Sequence, residues 1–480
     1  MRSRNFLGPV ALSICILASG CAIHRVNEKA AAPAVELKSA FEQHIAGAES
    51  GETWNRSWWE SFDDPVLNEL IREGLDANFD LQVFLARIEQ ASAIARQAGA
   101  RLYPTVNMSG SYEWEEDERI AASSTSDLEE SASIGGLLRW ELDLWGRLSS
   151  ARKARKLQLE ASVQDWLDAR LLLSTAISEN YFEIKEQQRQ LEVLREQIDI
   201  NESLLRLTSL RFGQGQSSIV DVLQQQEQLD ETRARVPEVE ARIGQIEYVL
   251  DTLLGKNPGS SEWRFSSKFA NLPPLPNVGV PAALLARRPD LRATHQRILA
   301  LDYRVGEAIS EQLPSLQIGG SLNWRGDPKL GDAIRTAFVD LAAPLFAAGE
   351  RRAQVKLRRA QLEEALARYS DDFLLAVQEI ETVLLRERKL EERLVLVERQ
   401  LLTAQRLLAE ARNRFSQGLT DYLPVFTALN IVQNLEREIV SSRRDILSAR
   451  VSLHRALGGP ILSPDVTVAA ITANEKKDTR

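Results

Sequence analysis

Cysteine is almost absent from this chain of 480 residues: there are two, Cys15 and Cys21, both near the start. Two residues so placed cannot staple a core, which excludes a disulfide scaffold. Histidine is scarce, with His24, His44, His295 and His454 as the only four, and their spacing is not that of metal ligands. Met1 and Met108 are the only methionines, so there is no thioether path for soft copper or silver ions. Neither a nucleophile elbow nor a phosphate loop occurs, because the glycines of Gly213-Gln214-Gly215 lack the Lys-Ser/Thr ending that a phosphate cradle requires. These absences point away from an enzyme, a metal centre and a bound cofactor. The net charge of -9 argues against nucleic acid as a partner.

What the chain does contain is a duplication. Gly146 recurs as Gly349, Arg211-Phe212 as Arg414-Phe415, Gln214-Gly215 as Gln417-Gly418 and Leu254-Gly255 as Leu457-Gly458, always 203 positions later. Within each copy apolar residues keep a seven-residue beat: Ile177, Ile184, Leu191, Ile198, Leu205 and Phe212, then Val222, Leu229, Val236, Ile243 and Leu250. The second copy answers with Ile380, Leu394, Leu401, Leu408 and Phe415, then Val425, Val432, Ile439, Ile446 and Leu453, and Glu387 alone breaks the beat. Sustained heptads predict coiled-coil helices. The beat resets across Gly213-Gln214-Gly215 and Ser416-Gln417-Gly418, where a helix can end, so each copy is a helical hairpin. A first arm of roughly 65 residues at about 1.5 Å per residue spans on the order of 95 Å. Pro237 predicts a local bend in the first copy, where the second has Val440.

The N-terminus reads as an export signal, with Arg2 and Arg4 ahead of an apolar run from Phe6 to Ala18 that is too short to span a bilayer comfortably. Leu17-Ala18-Ser19-Gly20-Cys21 resembles a bacterial lipobox, which implies cleavage before Cys21 and acylation of that residue; an ordinary signal peptide with an incidental cysteine is the alternative. Removing Arg2 and Arg4 takes the charge from -9 to -9 - 2 = -11. Ala22 after the cysteine favours the outer membrane. The aromatics Trp54, Trp58, Trp59 and Phe62 are expected to anchor the tether that precedes them to the core.

Two stretches alternate like membrane strands. Val106, Met108, Gly110, Tyr112 and Trp114 share one face, with Thr105, Asn107, Ser109, Ser111 and Glu113 on the other. The second copy repeats this 210 positions later with Leu316, Ile318, Gly320, Leu322 and Trp324. Each leads through a loop, Glu115 to Glu130 in the first copy, to a returning strand: Ala132 to Leu144, and about Ile334 to Leu345 with weaker alternation. Strands of about ten residues suit a tilted bilayer span. Four strands cannot close a barrel, so several chains must share one; three chains would give twelve strands and a water-filled lumen.

The chain therefore divides into a signal peptide (1–20), a lipidated tether (21–53), a first repeat (54–259), a linker (260–280), a second repeat (281–463) and a tail expected to be disordered (464–480). Each repeat opens with an equatorial helix, followed by a strand hairpin (105–145 or 315–346) and a helical hairpin (146–255 or 349–458). The fold class is mainly α with a transmembrane β part.

Trp58 to Leu67 (WWESFDDPVL), Trp140 to Arg147 (WELDLWGR), Pro281 to Arg292 (PAALLARRPDLR) and the two glycine turns resemble the TolC-like outer-membrane factors, in particular the NodT-type lipoprotein branch serving resistance-nodulation-division efflux. The resemblance spans residues 17 to 460. It implies a homotrimer with a twelve-stranded β-barrel in outer-membrane lipid, joined to a twelve-helix α-barrel extending into the periplasm. It further implies a periplasmic adaptor and an inner-membrane transporter as partners, with small molecules as cargo; a duct for type I protein secretion is the alternative. A lipid-anchored coiled-coil adhesin would need no amphipathic strands. By the same resemblance, Leu419, Thr420, Asp421 and Tyr422 form the periplasmic gate, with Leu419 in an apolar ring and Asp421 in a carboxylate ring or as a helix cap. Arg211, Gly213, Gln214, Gly215, Arg414, Gln417 and Gly418 form the tips that an adaptor would meet, the arginines contacting it or neutralising helix ends.

Overall fold

A computed structural model describes residues 24–26, 32–35, 38–42, 57–117, 127–326 and 329–459. Cys21, Trp54 and the tail 464–480 lie outside the described residues. A single turn at Trp58–Phe62 leads into α1 (Pro65–Ala77) and α2 (Phe79–Ala100). There follow strands β1 (Thr105–Asp117) and β2 (Asp127–Leu142), then α3 (Arg147–Gly213) and α4 (Ile219–Leu253). The second repeat has the helical turn α5 (Leu284–Arg287), α6 (Pro289–Ser310), β3 (Ser315–Gly326), β4 (Leu330–Ala342), α7 (Glu350–Ser416) and α8 (Leu423–Ala456). The chain forms two compact units, one of Met1–Val35, Leu85–Gln164 and Arg292–Asp371 that holds the strands, the other of Glu36–Phe84, Asp165–Leu291 and Asp372–Arg480.

In the strand unit the order is β1-β2-β3-β4, antiparallel throughout, so β1 and β4 are edges. The register brings apolar residues into common rows: Val106 faces Leu138, Leu138 faces Gly320, and Trp140 faces Ile318, which faces Val339. Val106, Met108, Tyr112, Trp114, Val339 and Leu341 are all exposed. The strands run longer than the expected ten residues, at 13, 16, 12 and 13. Pairing continues past the apolar band through Glu115–Glu129, Glu116–Leu128 and Asp117–Asp127, so the loop expected from Glu115 to Glu130 is shorter. Backbone bonding does not require apolar side chains, and the alternation marks only the band. β4 stops at Ala342, short of Leu345; Pro344, which lacks an N–H, stands two residues on. On β4 the weak alternation has a cause: Ile334 and Phe338 fall in the rows of Asn323 and Gly319, opposite the apolar face, and Arg335 falls on it.

The motif WELDLWGR is the joint between β2 and α3. Trp140 donates from its indole to Leu102 O at 2.9 Å, and Glu141 accepts from Arg147 at 2.7 Å. Asp143 caps α3 by accepting from Leu148 N and Ser149 N, both at 2.8 Å. Part of the tether is fixed here as well: His24 bonds Asp302 at 2.5 Å, and Ala34 N donates to Ser370 Oγ at 3.0 Å.

In the other unit the sequence WWESFDDPVL folds into an aromatic anchor. Trp58 and Phe62 are buried; Trp58 donates to Ser174 Oγ at 3.2 Å and stacks on His454 at 5.4 Å. Asp64 caps α1, with Pro65 in its first turn, and accepts from Tyr181 and Lys185, each at 2.9 Å. Burial opposes its charge, but the bonds from Lys185 and Tyr181 outweigh that and hold its carboxyl below the ordinary range. The motif PAALLARRPDLR makes a second knot. Arg288 donates to Asp290 and Glu379 at 2.8 Å and to Ala456 O at 3.1 Å. Close to this knot, burial and then the charge of Asp290 push Asp168 up to about 6.

The long arms α3 and α7 have 67 residues each, a rise of about 100 Å at 1.5 Å per residue. In the second copy the expected beat is the core: Ile380, Leu408, Phe415, Val425, Val432, Ile439, Ile446 and Leu453 are buried, and Leu394 and Leu401 pack against them. In the first copy Ile177, Ile184, Leu229 and Leu250 are buried on the expected beat, but from Gln190 onward the core of α3 lies one position off it. Along that distal stretch the buried seam is Gln190, Leu194, Gln197, Asn201, Leu204 and Thr208, alternately four and three apart, with Val193 buried beside it. Leu191, Ile198 and Leu205 are half-buried and Phe212 is exposed. Polar residues occupy the seam, so a reading that counts only apolar side chains slides to its flank. Helix α4 continues through Pro237 as one helix, with Pro237 on an exposed face, so the expected bend does not interrupt it.

Glu387, the break in the beat, is 3% exposed and paired with Arg450 at 2% exposed, whose guanidinium also donates to Pro273 O. A buried pair with one partner removed leaves an uncompensated charge. Arg450→Met alone is therefore expected to destabilise this unit by about 3–5 kcal/mol, with most of the loss recovered in Arg450→Met/Glu387→Met. Denaturant unfolding of both variants in detergent checks this.

Candidate gate and docking tips

Both hairpin ends are built from the same backbone turn. At the end of α3, Gln216 N donates to Arg211 O at 2.8 Å and Gly215 N to Phe212 O at 2.9 Å. At the end of α7, Leu419 N donates to Arg414 O at 2.9 Å and Gly418 N to Phe415 O at 3.0 Å. This paired bonding closes a helix C-terminus and requires one residue at positive φ. Gly215 at φ 69° and Gly418 at φ 73° supply it. A Cβ on either would meet nothing within 4 Å, so the demand for glycine is conformational and not a matter of space.

The return helices start differently. Copy one has a capping box, in which Ser218 Oγ accepts from Val220 N at 3.1 Å and Asp221 accepts from Ser218 N at 2.9 Å. In copy two the cap position of α8 is Tyr422, which makes no side-chain capping bond, and Asp421 precedes it. Leu419 is 70% exposed and Asp421 is exposed, with Thr420 half-buried between them. Tyr422 is set apart from these three. It is fully buried, edge-on to Phe415 at 5.3 Å, and its hydroxyl donates to Gln225 Oε1. Burial pushes its phenol well above the ordinary value, so it stays a donor.

Of the tip residues, Gly213, Gln214, Gly215, Arg414, Gln417 and Gly418 are exposed. The two arginines have different partners. Arg414 pairs with Glu410 at 2.8 Å on its own helix. Arg211 reaches across to the other hairpin, where Nη1 donates to Phe415 O at 2.8 Å and the guanidinium lies 4.3 Å over the Phe415 ring. It thus satisfies a carbonyl in the last turn of α7.

Behind the tips runs a buried polar seam that sequence reasoning missed. Asn201 donates to Thr232 Oγ1 at 3.0 Å, and accepts from Gln433 at 3.0 Å and, at its backbone carbonyl, from Gln225 at 3.1 Å. Gln197 donates to Gln433 O at 3.0 Å, and Gln190 to Arg437 O at 2.9 Å. Arg444 and Glu186 close it at 2.7 Å. The seam joins α3 to both α4 and α8. Its signal in the sequence was polar residues at heptad spacing, Gln190 to Gln197 and Asn201 to Thr208.

Among the described residues no group of His, Cys, Asp or Glu could hold a metal ion, and no helix is long and apolar enough to cross a membrane.

A family model described as outer membrane efflux protein matches residues 70–256 and 280–459. The chain is 28% identical to the pyoverdine export outer membrane protein OpmQ of Pseudomonas aeruginosa over 428 residues, 87% of this chain and 90% of that protein. It is 25% identical to nodulation protein T of Rhizobium leguminosarum bv. viciae over 482 residues, 97% of this chain and 96% of that one. Among solved structures, the outer-membrane channel OprN superposes with a TM-score of 0.79 at 26% identity, covering 89% of this chain and 98% of the other. The CmeC outer membrane channel of Campylobacter jejuni gives a TM-score of 0.80 at 21% identity, covering 94% and 96%, a likeness of fold alone.

Removing the link from Arg211 should separate the two tips without unfolding either arm. Arg211→Ala is expected to cost about 1–3 kcal/mol locally, while Arg414→Ala, which breaks an exposed pair, costs under about 1 kcal/mol. Amide hydrogen exchange over 412–424 distinguishes them: faster in the first variant, unchanged in the second.

Proposed function

This chain belongs to the outer membrane efflux protein family, and from that premise we propose that three copies assemble into one exit duct. It is an outer-membrane efflux channel that extends into the periplasm. The observation that carries the assembly is the sheet, four antiparallel strands with an exposed apolar face and two unpaired edges. In hydrocarbon each edge leaves backbone groups without partners, and pairing β4 of one copy with β1 of the next removes every edge. Two copies give eight strands, whose interior fills with side chains; three give twelve and leave an aqueous lumen. The four long arms of each copy then supply a twelve-helix tube.

The hairpin tips are the end that meets a periplasmic adaptor, itself coupled to an inner-membrane transporter. Arg414, Gln214 and Gln417 are exposed there and offer hydrogen bonds. Leu419 and Asp421 are the residues free to face the lumen as an apolar and an acidic ring. Tyr422 acts behind them, holding the turn to Gln225. Cys21 carries the lipid that fixes the chain to the membrane. Small molecules are the cargo class, and chemistry on them is left to other proteins.

The test is conduction. The purified, detergent-extracted protein should have the mass of three chains and pass current across a planar bilayer; a stable monomer that passes none defeats the assembly. Three carboxylates on a three-fold axis favour cations. Asp421→Ala is expected to raise conductance and lower cation selectivity, and a variant indistinguishable from the parent removes Asp421 from the gate.

A further inference from the structure

The two repeats touch at a corner inside the strand unit, and the same corner occurs a second time without its cover. After β2 the connector docks where α6 turns into β3. Trp145 donates from its indole to Pro314 O at 2.6 Å, and Ser310 Oγ donates to Trp145 O at 2.9 Å. Under this cover Ser310 is buried and Glu311 to Gly320 are half-buried. The equivalent corner, 210 positions earlier between α2 and β1, contains Ala100, Arg101, Tyr103 and Pro104. All four are exposed, Tyr103 to 67%.

The connector of the second repeat, 343–349, is bare in turn. Leu345 is 96% and Phe346 89% exposed, the highest values among the large hydrophobic residues described. Ala348, at the position equivalent to Trp145, has φ 44°. Apolar side chains this exposed mark a contact surface. A corner without a connector lies beside the open edge of β1, and a connector without a corner follows the open edge of β4.

Charge selects the occupant. The connector of repeat one ends in Arg147, and the corner it covers carries Glu311. The connector of repeat two ends in Glu350, and the uncovered corner carries Arg101. In repeat one Arg147 pairs with Glu141 and not with the corner, whereas Glu350 and Arg101 carry opposite signs and are both exposed, so that pairing is complementary.

We propose that the 343–349 connector of one copy docks on the Ala100–Pro104 corner of the next, with Leu345 and Phe346 covering Tyr103 and Glu350 facing Arg101. A heterologous contact of this kind closes into a ring. The contact rests on the three-copy reading above and names its surface; the occupant is a second copy of this chain, not lipid.

Two experiments on the full-length membrane protein test it. In Ala100→Cys/Ala348→Cys, the counterparts of the touching pair Ser310 and Trp145, oxidation or a short bis-maleimide should give covalent dimers and trimers, with neither single variant doing so. Arg101→Glu should lower the temperature at which the detergent-extracted trimer dissociates, and Arg101→Glu/Glu350→Arg should restore it. A native mass of three chains without cross-links or rescue overturns the contact and leaves the three-copy assembly standing. Cross-link failure with Leu345 and Phe346 labelled by a lipid-phase photoprobe assigns them to the bilayer and equally overturns it. A monomeric native mass overturns the assembly itself.

Discussion

A backbone N–H or C=O that faces hydrocarbon without a partner costs several kcal/mol, and a four-stranded sheet has a row of them along each edge. Here the edges are β1 and β4, and the apolar rows run across the whole sheet from one to the other. No rearrangement within the chain removes both edges, because the strands are already paired in sequence order. The need for a neighbour is thus written into the topology.

Duplication produced two hairpins with one plan, and the cores have diverged. The second is sealed by aliphatic and aromatic residues from Ala404 to Ile439. The first buries glutamine, asparagine and threonine, and sends their hydrogen bonds to α8 of the second. An apolar seam tolerates sliding; a seam of directional bonds has one register. The polar seam therefore tells the chain which of two similar hairpins lies against which. Arg211 repeats the message at the tip, where it bonds a carbonyl of the other hairpin.

Much of this was legible in the residues. Constant offsets located the repeats, the glycine turns and both arms, because a helix end at positive φ leaves a glycine behind. Strict alternation located β1 and β3. The failures share a cause. Leu191, Ile198, Leu205 and Phe212 were read as core when Gln190, Gln197, Leu204 and Thr208 fill it, since polar side chains do not register in an apolar count. Tyr422 was grouped with its exposed neighbours, although its hydroxyl belongs with Gln225, 197 positions away in sequence. Glu387 looked like a flaw until Arg450 supplied its charge. Pairing of β1 and β2 beyond the apolar band had no side-chain signature.

The long arms have the same number of residues, 67 in each repeat, and their return arms have 35 and 34. Both pairs of arms end in turns of one geometry. Adding a heptad to one hairpin alone would leave its turn about 10 Å beyond the other, out of step with every bond between them. Growth or shrinkage of this protein must therefore come in matched instalments, two arms down and two arms back, and relatives of different reach should differ by the same number of residues in both halves of the gene.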